Sequence, residues 1–346
     1  MAEELRRTNG DAVKFLLVRL DGIGDALVCV PMLEGLRRAY PDARFGAICS
    51  PANADVFSKR LNVIYVLGGD ATVGSLAPRL HRAGYTHAIV ATEEVAGYKL
   101  ARASGASRRS GFWHQFEKPL KSLWQYAQLT DRVYRPAAWT SQPEHEVQTL
   151  YRLAMPFGAG ARIPDNADDL RSWLRVGQTK TRRDARTALG FQVTAKLVSG
   201  DWGPVALAAM CDGAVRASGL AQAMLLVAPG DEGLAQAILE HLPSARRERT
   251  RLVPPATVSQ WFDAIDALAG LVTPDSGAAH AAGMLGVPLI DLFEEARFGQ
   301  LSRQWRPWAA PHRCIVKPPV HNADPARFGE QLGVSVAQLL PRDKRA

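Results

Sequence analysis

The chain of 346 residues is long for one domain and sufficient for two, each able to bury its own core. Its 47% hydrophobic and 22% charged residues exclude a disordered or fibrous protein, and no apolar run nears the ~20 residues needed to span a bilayer. A net charge of +8 points to an anionic partner, and the absence of a zinc-finger, basic-zipper or RNP pattern turns that expectation away from nucleic acid toward a phosphorylated or carboxylated substrate or a membrane surface.

In chain order, Met1–Ala12 is polar and lacks the apolar core of a signal peptide, so a cytoplasmic location is expected. Lys14–Arg19 (KFLLVR) is continuously apolar at its centre, as a buried parallel strand should be. Asp25–Tyr40 has helical spacing, with Pro31 inside it predicting a kink or a late helix start. Strands are predicted at Phe45–Cys49, Val63–Leu67 and Ala88–Ala91, with a helix over Val73–Ala83. The second half repeats this alternation. It has strands at Leu189–Thr194, Ala223–Ala228, Gly270–Thr273 and Pro288–Phe293, and helices at Val205–Ala217, Leu234–Leu242, Val258–Ala267 and Ala278–Leu285. A Pro-rich tail, Pro307–Pro325, should close the second sheet, with a last helix at Val334–Leu340.

Two β/α series without hairpin signals predict an α/β protein of two doubly wound, Rossmann-like parallel-sheet domains facing across a cleft. The expected divisions are 12–157 for the first domain, 158–185 for a linker rich in Gly, Pro, Asp and Arg, 186–325 for the second, and 326–346 for a terminal tail or helix. Cys29, Cys49, Cys211 and Cys314 form no Cys-x-x-Cys pair, which argues against zinc and disulfides.

Two loops carry the chemistry. Arg19-Leu20-Asp21-Gly22-Ile23-Gly24-Asp25 joins a strand to a helix, but position 27 is leucine, so the dinucleotide fingerprint fails, and no P-loop follows. The turn glycines Gly22 and Gly24 bring backbone close to a ligand, and Asp25 has two open roles: helix cap, or general base for an acceptor hydroxyl. Thr273-Pro274-Asp275-Ser276-Gly277-Ala278-Ala279-His280 also leads from a strand into a helix. Its small residues, Ser276, Gly277 and Ala278, let free N–H groups approach a diphosphate without a metal. Asp275 suits a cap or a ribose contact. His280, four residues after Ser276, suits either packing or a phosphate contact.

Together these loops resemble glycosyltransferase family nine, the ADP-heptose:lipopolysaccharide heptosyltransferases. The opening stretch VKFLLVRLDGIGDALVCVPMLEGLRRAYPDARFGAI is similar to that family's first strand, Arg-x-x-x-Ile-Gly-Asp turn and helix. GLVTPDSGAAHAAGMLGVPLIDLF is similar to its Asp-Ser/Thr-Gly-x-x-His loop, with weaker likenesses at Gly105–Phe112, His145–Leu150 and Trp202. The resemblance implies a GT-B architecture and inverting transfer of heptose from ADP-heptose to an anionic lipopolysaccharide inner-core acceptor, without metal or other cofactor. On that basis Asp25 is the catalytic base, and Asp275, Ser276, Gly277, Ala278 and His280 bind the donor. Glu232 falls near a ribose-binding acid, with Asp231 the competing choice.

One departure stands out. The family's Lys-Arg/His-Trp-Pro becomes Gly200-Asp201-Trp202-Gly203, and only Lys196 is placed to substitute for the lysine that contacts the diphosphate. This keeps open another nucleotide sugar, a protein acceptor, or a non-catalytic nucleotide-binding protein derived from the fold. On the acceptor side, Lys99, Arg102, Arg108 and Arg109, followed by Lys118 and Lys121, lie among Phe112, Trp113, Phe116, Trp124 and Tyr126. They are candidates for holding an anionic glycolipid, with peripheral contact at the cytoplasmic face of the inner membrane.

Overall fold

The computed structural model describes residues 12–58, 60–115, 119–136, 143–174, 186–254 and 257–341. It divides into two compact units, Met1–Trp173 and Leu174–Ala346.

The first unit contains β1 (Lys14–Arg19), α1 (Ile23–Leu27), α2 (Val30–Ala39), β2 (Arg44–Cys49), α3 (Ala54–Phe57), β3 (Val63–Val66) and α4 (Val73–Ala83). It continues with β4 (His87–Val90), α5 (Val95–Ala103), β5 (Arg108–Trp113), α6 (Pro119–Gln128), β6 (Asp131–Tyr134), α7 (Glu146–Tyr151) and α8 (Ala167–Leu174). The second contains β7 (Ala188–Val193), α9 (Pro204–Ser218), β8 (Gln222–Val227), α10 (Glu232–His241), α11 (Ser244–Arg247), β9 (Thr250–Val253) and α12 (Val258–Asp266). It ends with β10 (Gly270–Pro274), α13 (Gly277–Leu285), β11 (Leu289–Glu294), α14 (Phe298–Trp305), β12 (His312–Lys317) and α15 (Pro325–Leu339).

The strand orders are β3-β2-β1-β4-β5-β6 and β12-β11-β10-β7-β8-β9, and every named pairing is parallel. Numbered from its own first strand, each sheet has the same doubly wound order, reversing direction between β1 and β4 and between β7 and β10. Helices cover both faces, so β7 and β10 are buried along their whole length and read as continuous apolar runs.

Several details differ from the sequence reading. The helix at Asp25–Tyr40 is two helices, and Pro31 lies in the first turn of α2, where its missing N–H costs no helical bond. β5 and the edge strands β6, β9 and β12 fall where the sequence shows no strand pattern: they are short or carry arginine, glycine and threonine, which blurs the apolar run. β12 lies inside the segment expected to be a Pro-rich tail, and α15 begins at Pro325 rather than Val334, capped by the Asp324 carboxylate. The expected linker 158–185 contains α8, which belongs with the first unit, while 175–185 lies outside the described residues. There the Trp173 indole donates to buried Glu34 at 3.0 Å, and Arg38 pairs with Asp169 at 2.8 Å.

In the second unit α15 lies against α9 along a seam of small residues. A Cβ on Gly329 would meet the Met210 carbonyl oxygen at 2.1 Å, and one on Gly333 would meet that of Ala214 at 2.3 Å. Because the obstacle is backbone, only movement of a whole helix could relieve it. Gly329→Ala is therefore expected to destabilise the second unit by about 1–3 kcal/mol, read as a lower urea midpoint. Gly299→Ala, with open space around the added methyl, should leave the midpoint unchanged or slightly raised.

Candidate active-site loops

In each unit the notable loops leave the carboxyl edge of the sheet beside the point where strand order reverses. Ligands of open α/β sheets bind at such edges, because helices departing to opposite faces leave a gap there.

In the first unit β1 ends at Arg19, whose side chain is only 4% exposed. Its Nη2 donates to Asp25 Oδ1 at 2.7 Å, Nη1 donates to the Ala91 carbonyl at the end of β4, and Nε lies 3.3 Å from Asp21. Asn53 Nδ2 donates to the Arg19 and Asp21 carbonyls at 3.2 and 2.8 Å, and Ser50 Oγ donates to the latter at 3.0 Å. The turn is thus held from both neighbouring strands. Gly22 N–H donates to Asp25 Oδ2 at 3.2 Å, so Asp25 does reach back across the first turn of α1. With its side chain 34% exposed, each oxygen engaged once and lone pairs remaining, it also presents a carboxylate to solvent. Gly22 has φ −76°, and an added Cβ would meet only Asp25 Oδ2 at an ordinary 3.5 Å, so neither the backbone nor the space around it demands a glycine.

Next to this turn lies a charge network that sequence reasoning missed. Glu93 follows β4, His114 follows β5, Arg135 follows β6 and Glu146 opens α7. His114 Nε2 and Lys121 Nζ lie 3.3 and 3.2 Å from Glu93 Oε2, and Arg135 makes two 3.1 Å bonds to Glu146. The hydrogen bond from His114, helped by Lys121 and opposed by burial, holds the Glu93 carboxyl well below the usual carboxylate range. These residues are scattered over 53 positions and share no motif. Only the parallel pairing of β4, β5 and β6 brings their loops together.

The four acceptor candidates are placed otherwise. Arg108 and Arg109 open β5, at the amino edge, and in register Arg108 faces His87, which faces Phe15 near the start of β1. Arg108 donates to Asp131 at 2.6 Å and to the Pro156 carbonyl at 2.9 Å, and Arg109 donates to the Gln128 and Ala106 carbonyls at 2.7 and 2.6 Å. Arg102 closes α5 and donates to the Ala127 carbonyl at 3.3 Å. These three arginines hold the end of α6 and the amino edge, while Lys99 lies on the exposed side of α5. Because a strand carries its ends to opposite edges, none of the three arginines shares an edge with Asp25. Phe116 and Lys118 lie outside the described residues.

In the second unit β10 delivers Asp275, whose N–H donates to the Leu292 carbonyl at 2.9 Å. Ser276 is the N-cap of α13: its Oγ accepts from Ala278 N–H at 3.3 Å and lies 2.9 Å from Thr273 Oγ1. Gly277 and Ala278 open the nine-residue α13, Gly277 half-buried and Ala278 buried. Lys196, exposed in a turn after β7, donates its ammonium to the Asp275 carbonyl, so it does reach the loop. Glu232, exposed after β8, accepts from Gly230 N–H at 3.3 Å, and Asp231 is the N-cap of α10. His280 is buried, its ring 5.9 Å from that of Trp305.

The unusual Gly200-Asp201 pair has a structural reason. Both residues are left-handed, φ +73° and +64°, and a Cβ on Gly200 would lie 3.1 Å from Pro319. The loop is joined to the end of β12: Trp202 Nε1 donates to the Pro318 carbonyl at 2.7 Å, Val320 N–H to that of Gly200 at 2.8 Å, and Lys317 Nζ to that of Ser199. Burial lowers the Lys317 ammonium to about 8. Lys317 thereby fixes the turn that carries Lys196, from a position 121 residues away.

Among the described residues no group of three or more His, Cys, Asp or Glu side chains is arranged to hold a metal, and no helix is long and apolar enough to cross a membrane.

Two doubly wound sheets of identical order, with a carboxylate turn after β1 and a Ser276-capped helix after β10, form a two-domain α/β fold of the GT-B type. The profile of glycosyltransferase family 9 (heptosyltransferase) matches residues 73–325, and the chain belongs to that family. A search of curated protein sequences finds no match. Among solved structures, the fold is similar to E. coli ADP-heptose lps heptosyltransferase II (TM-score 0.70, 17% identity, 94% of this chain and 99% of that one). It is also similar to E. coli heptosyltransferase WaaC with ADP-2-deoxy-2-fluoro heptose (0.68, 16%, 94% and 98%) and to the glycosyl transferase family 9 protein of Veillonella parvula (0.66, 16%, 96% and 97%).

Burial pushes the thiols of Cys29 and Cys49 up to about 12. At pH 8 roughly one molecule in ten thousand would carry either thiolate. Both are expected to resist Ellman's reagent in the native protein at pH 8 and to react fully after unfolding in guanidinium. Rapid native labelling of either would contradict their placement.

Proposed function

We propose that this enzyme transfers a heptosyl group, with inversion, from ADP-heptose to an anionic acceptor of the lipopolysaccharide inner-core type. The observation that carries this reading is the pairing of an Arg19-oriented Asp25 with a Ser276-capped, Lys196-flanked helix start, each at the switch point of its sheet. In this mechanism the acceptor oxygen attacks the anomeric carbon opposite the nucleoside diphosphate. The bond from that carbon to the phosphate oxygen breaks, and the hydroxyl proton passes to Asp25. The diphosphate leaves with added negative charge, stabilised by the amino end of α13 and the Lys196 ammonium, without metal. Glu232 would contact the donor ribose. The first unit is the acceptor side and the second the donor side.

A specific observation supports a second donor or acceptor: the rebuilt Gly200-Asp201 turn stands where the family carries a basic pair. Calorimetric titration of ADP, GDP and UDP with EDTA present separates the readings. ADP preference is expected; preference for another nucleotide would keep the transferase and discard the heptose. Asp25→Ala should lower kcat at least about 10³-fold, at the strong end of general-base effects, with ADP affinity within twofold. Undiminished turnover in that variant would remove Asp25 as the base.

The acceptor side also suits a peripheral contact with an anionic lipid surface. Leu120, Leu123 and Tyr126 of α6 are 85%, 71% and 51% exposed, and residues 99–135 contain eight Lys/Arg against two Asp/Glu. Co-sedimentation with phosphatidylglycerol vesicles is expected, weakening in high salt and falling about tenfold in L120S/L123S. Equal binding to neutral phosphatidylcholine vesicles would exclude the electrostatic part.

A further inference from the structure

Beneath the α13 loop, β11 buries a carboxyl group that none of the chemistry above uses. Asp291 is fully buried in a strand whose other inner residues are leucine, isoleucine and phenylalanine, and neither of its oxygens has a hydrogen-bond partner. It pairs in register with Thr273 of β10 and Cys314 of β12, and paired residues of parallel strands point to the same face. Ile290 and Leu292 point the other way, into the core that includes Phe328, Leu332 and Val336 of α15. On the Asp291 face, Thr273 Oγ1 bonds to the capping Ser276 Oγ, and the next step of the loop, Asp275 N–H, bonds to Leu292 O. Asp291 therefore sits one strand across from the hydroxyl pair that shapes the helix start.

We propose that Asp291 is a positioning residue for this loop that works only as the neutral acid, so that its proton must be present for a diphosphate to occupy the amino end of α13. The inference rests on the reading of that loop as the donor-diphosphate site. The physical reason is charge. Ionised, Asp291 would add a second negative charge beside half-buried Asp275, one strand across from the start of α13, and would compete for the Lys196 ammonium. Neutral, it leaves Lys196 and the helix dipole unopposed. Burial first, and Asp275 second, push the Asp291 carboxyl well above the usual carboxylate range, with Lys196 opposing, and the Cys314 thiol on the adjacent strand is also raised, to about 12. By linkage, a bound diphosphate tightens the hold on the Asp291 proton. Binding at alkaline pH must then draw a proton from solvent.

The test is ADP titration of wild type and Asp291→Asn from pH 7 to 9.5, in two buffers of different ionisation enthalpy so that proton uptake is counted. At pH 7 the two proteins should bind within about twofold. At higher pH the wild-type Kd should rise by up to about tenfold per unit relative to the variant, with proton uptake seen in wild type only. A thermal melt supplies a second measurement and confirms folding. A folded-state value raised above the unfolded one stabilises below the unfolded pKa and loses that stability as pH rises, so the variant's advantage in Tm should grow from pH 4 to pH 8. Tenfold tighter ADP binding by the variant at pH 7, parallel pH profiles, or a flat Tm difference would each overturn the proposal while leaving the donor site intact. Failure of wild type to bind ADP at pH 7 would instead remove the donor reading, and this inference with it.

Discussion

Parallel strands all release the chain at the same edge, and the rest of this structure depends on that constraint. In each unit the strand order reverses once, so the helices that follow β1 and β4, or β7 and β10, leave toward opposite faces. The gap this opens is occupied in the first unit by Arg19, Asp21 and Asp25, and in the second by Lys196, Asp275 and Ser276. Within each loop the residues meet locally, but the direct pairing of β1 with β4 and of β7 with β10 adds the long-range contacts, Arg19 to the Ala91 carbonyl and Lys196 to that of Asp275.

The two edges handle charge differently. The first is a compensated network in which each carboxylate has a cationic or imidazole partner: Arg19 with Asp21 and Asp25, Lys121 and His114 with Glu93, and Arg135 with Glu146. Charge-assisted hydrogen bonds of this kind fix the orientation of the side chains that make them. The second edge presents the Ser276-capped start of α13 and one exposed lysine, with a buried carboxyl on β11 whose pKa burial raises well above the usual carboxylate range. That arrangement is suited to attracting an anion rather than orienting a proton acceptor.

Substitution in the Lys196–Trp202 segment has a structural counterpart far along the chain. Where Gly200 and Asp201 take left-handed conformations, Lys317, Pro318 and Val320 at the end of β12 supply the hydrogen bonds that hold them. Residues more than a hundred positions away thus hold this turn, whose Lys196 donates to the Asp275 carbonyl. Membership of glycosyltransferase family 9 accounts for the scaffold, and this loop is where the chain departs from the motif it resembles.

The sequence by itself determined the central strands, since β1, β7, β10 and β11 are apolar runs buried on both faces, and it determined the two loops, since small residues after such strands have few other uses. It also carried the position of Asp25 and the approach of Lys196 to the second loop. Only the tertiary structure decided the outer strands, whose half-exposed residues lack a readable period, and which basic residues stand at which edge. Arg108 and Arg109 look like ligand-binding arginines in a line of text, yet strand direction puts them at the amino edge, bonded to Asp131 and to carbonyl groups. Glu93, His114 and Arg135 look unrelated until parallel register stacks the ends of β4, β5 and β6. Asp291 is one aspartate among many until its strand is known to be buried. The physical reason is the same in each case: local pattern reports which segments avoid water, whereas pairing and direction, set by long-range hydrogen bonding, report which ends meet.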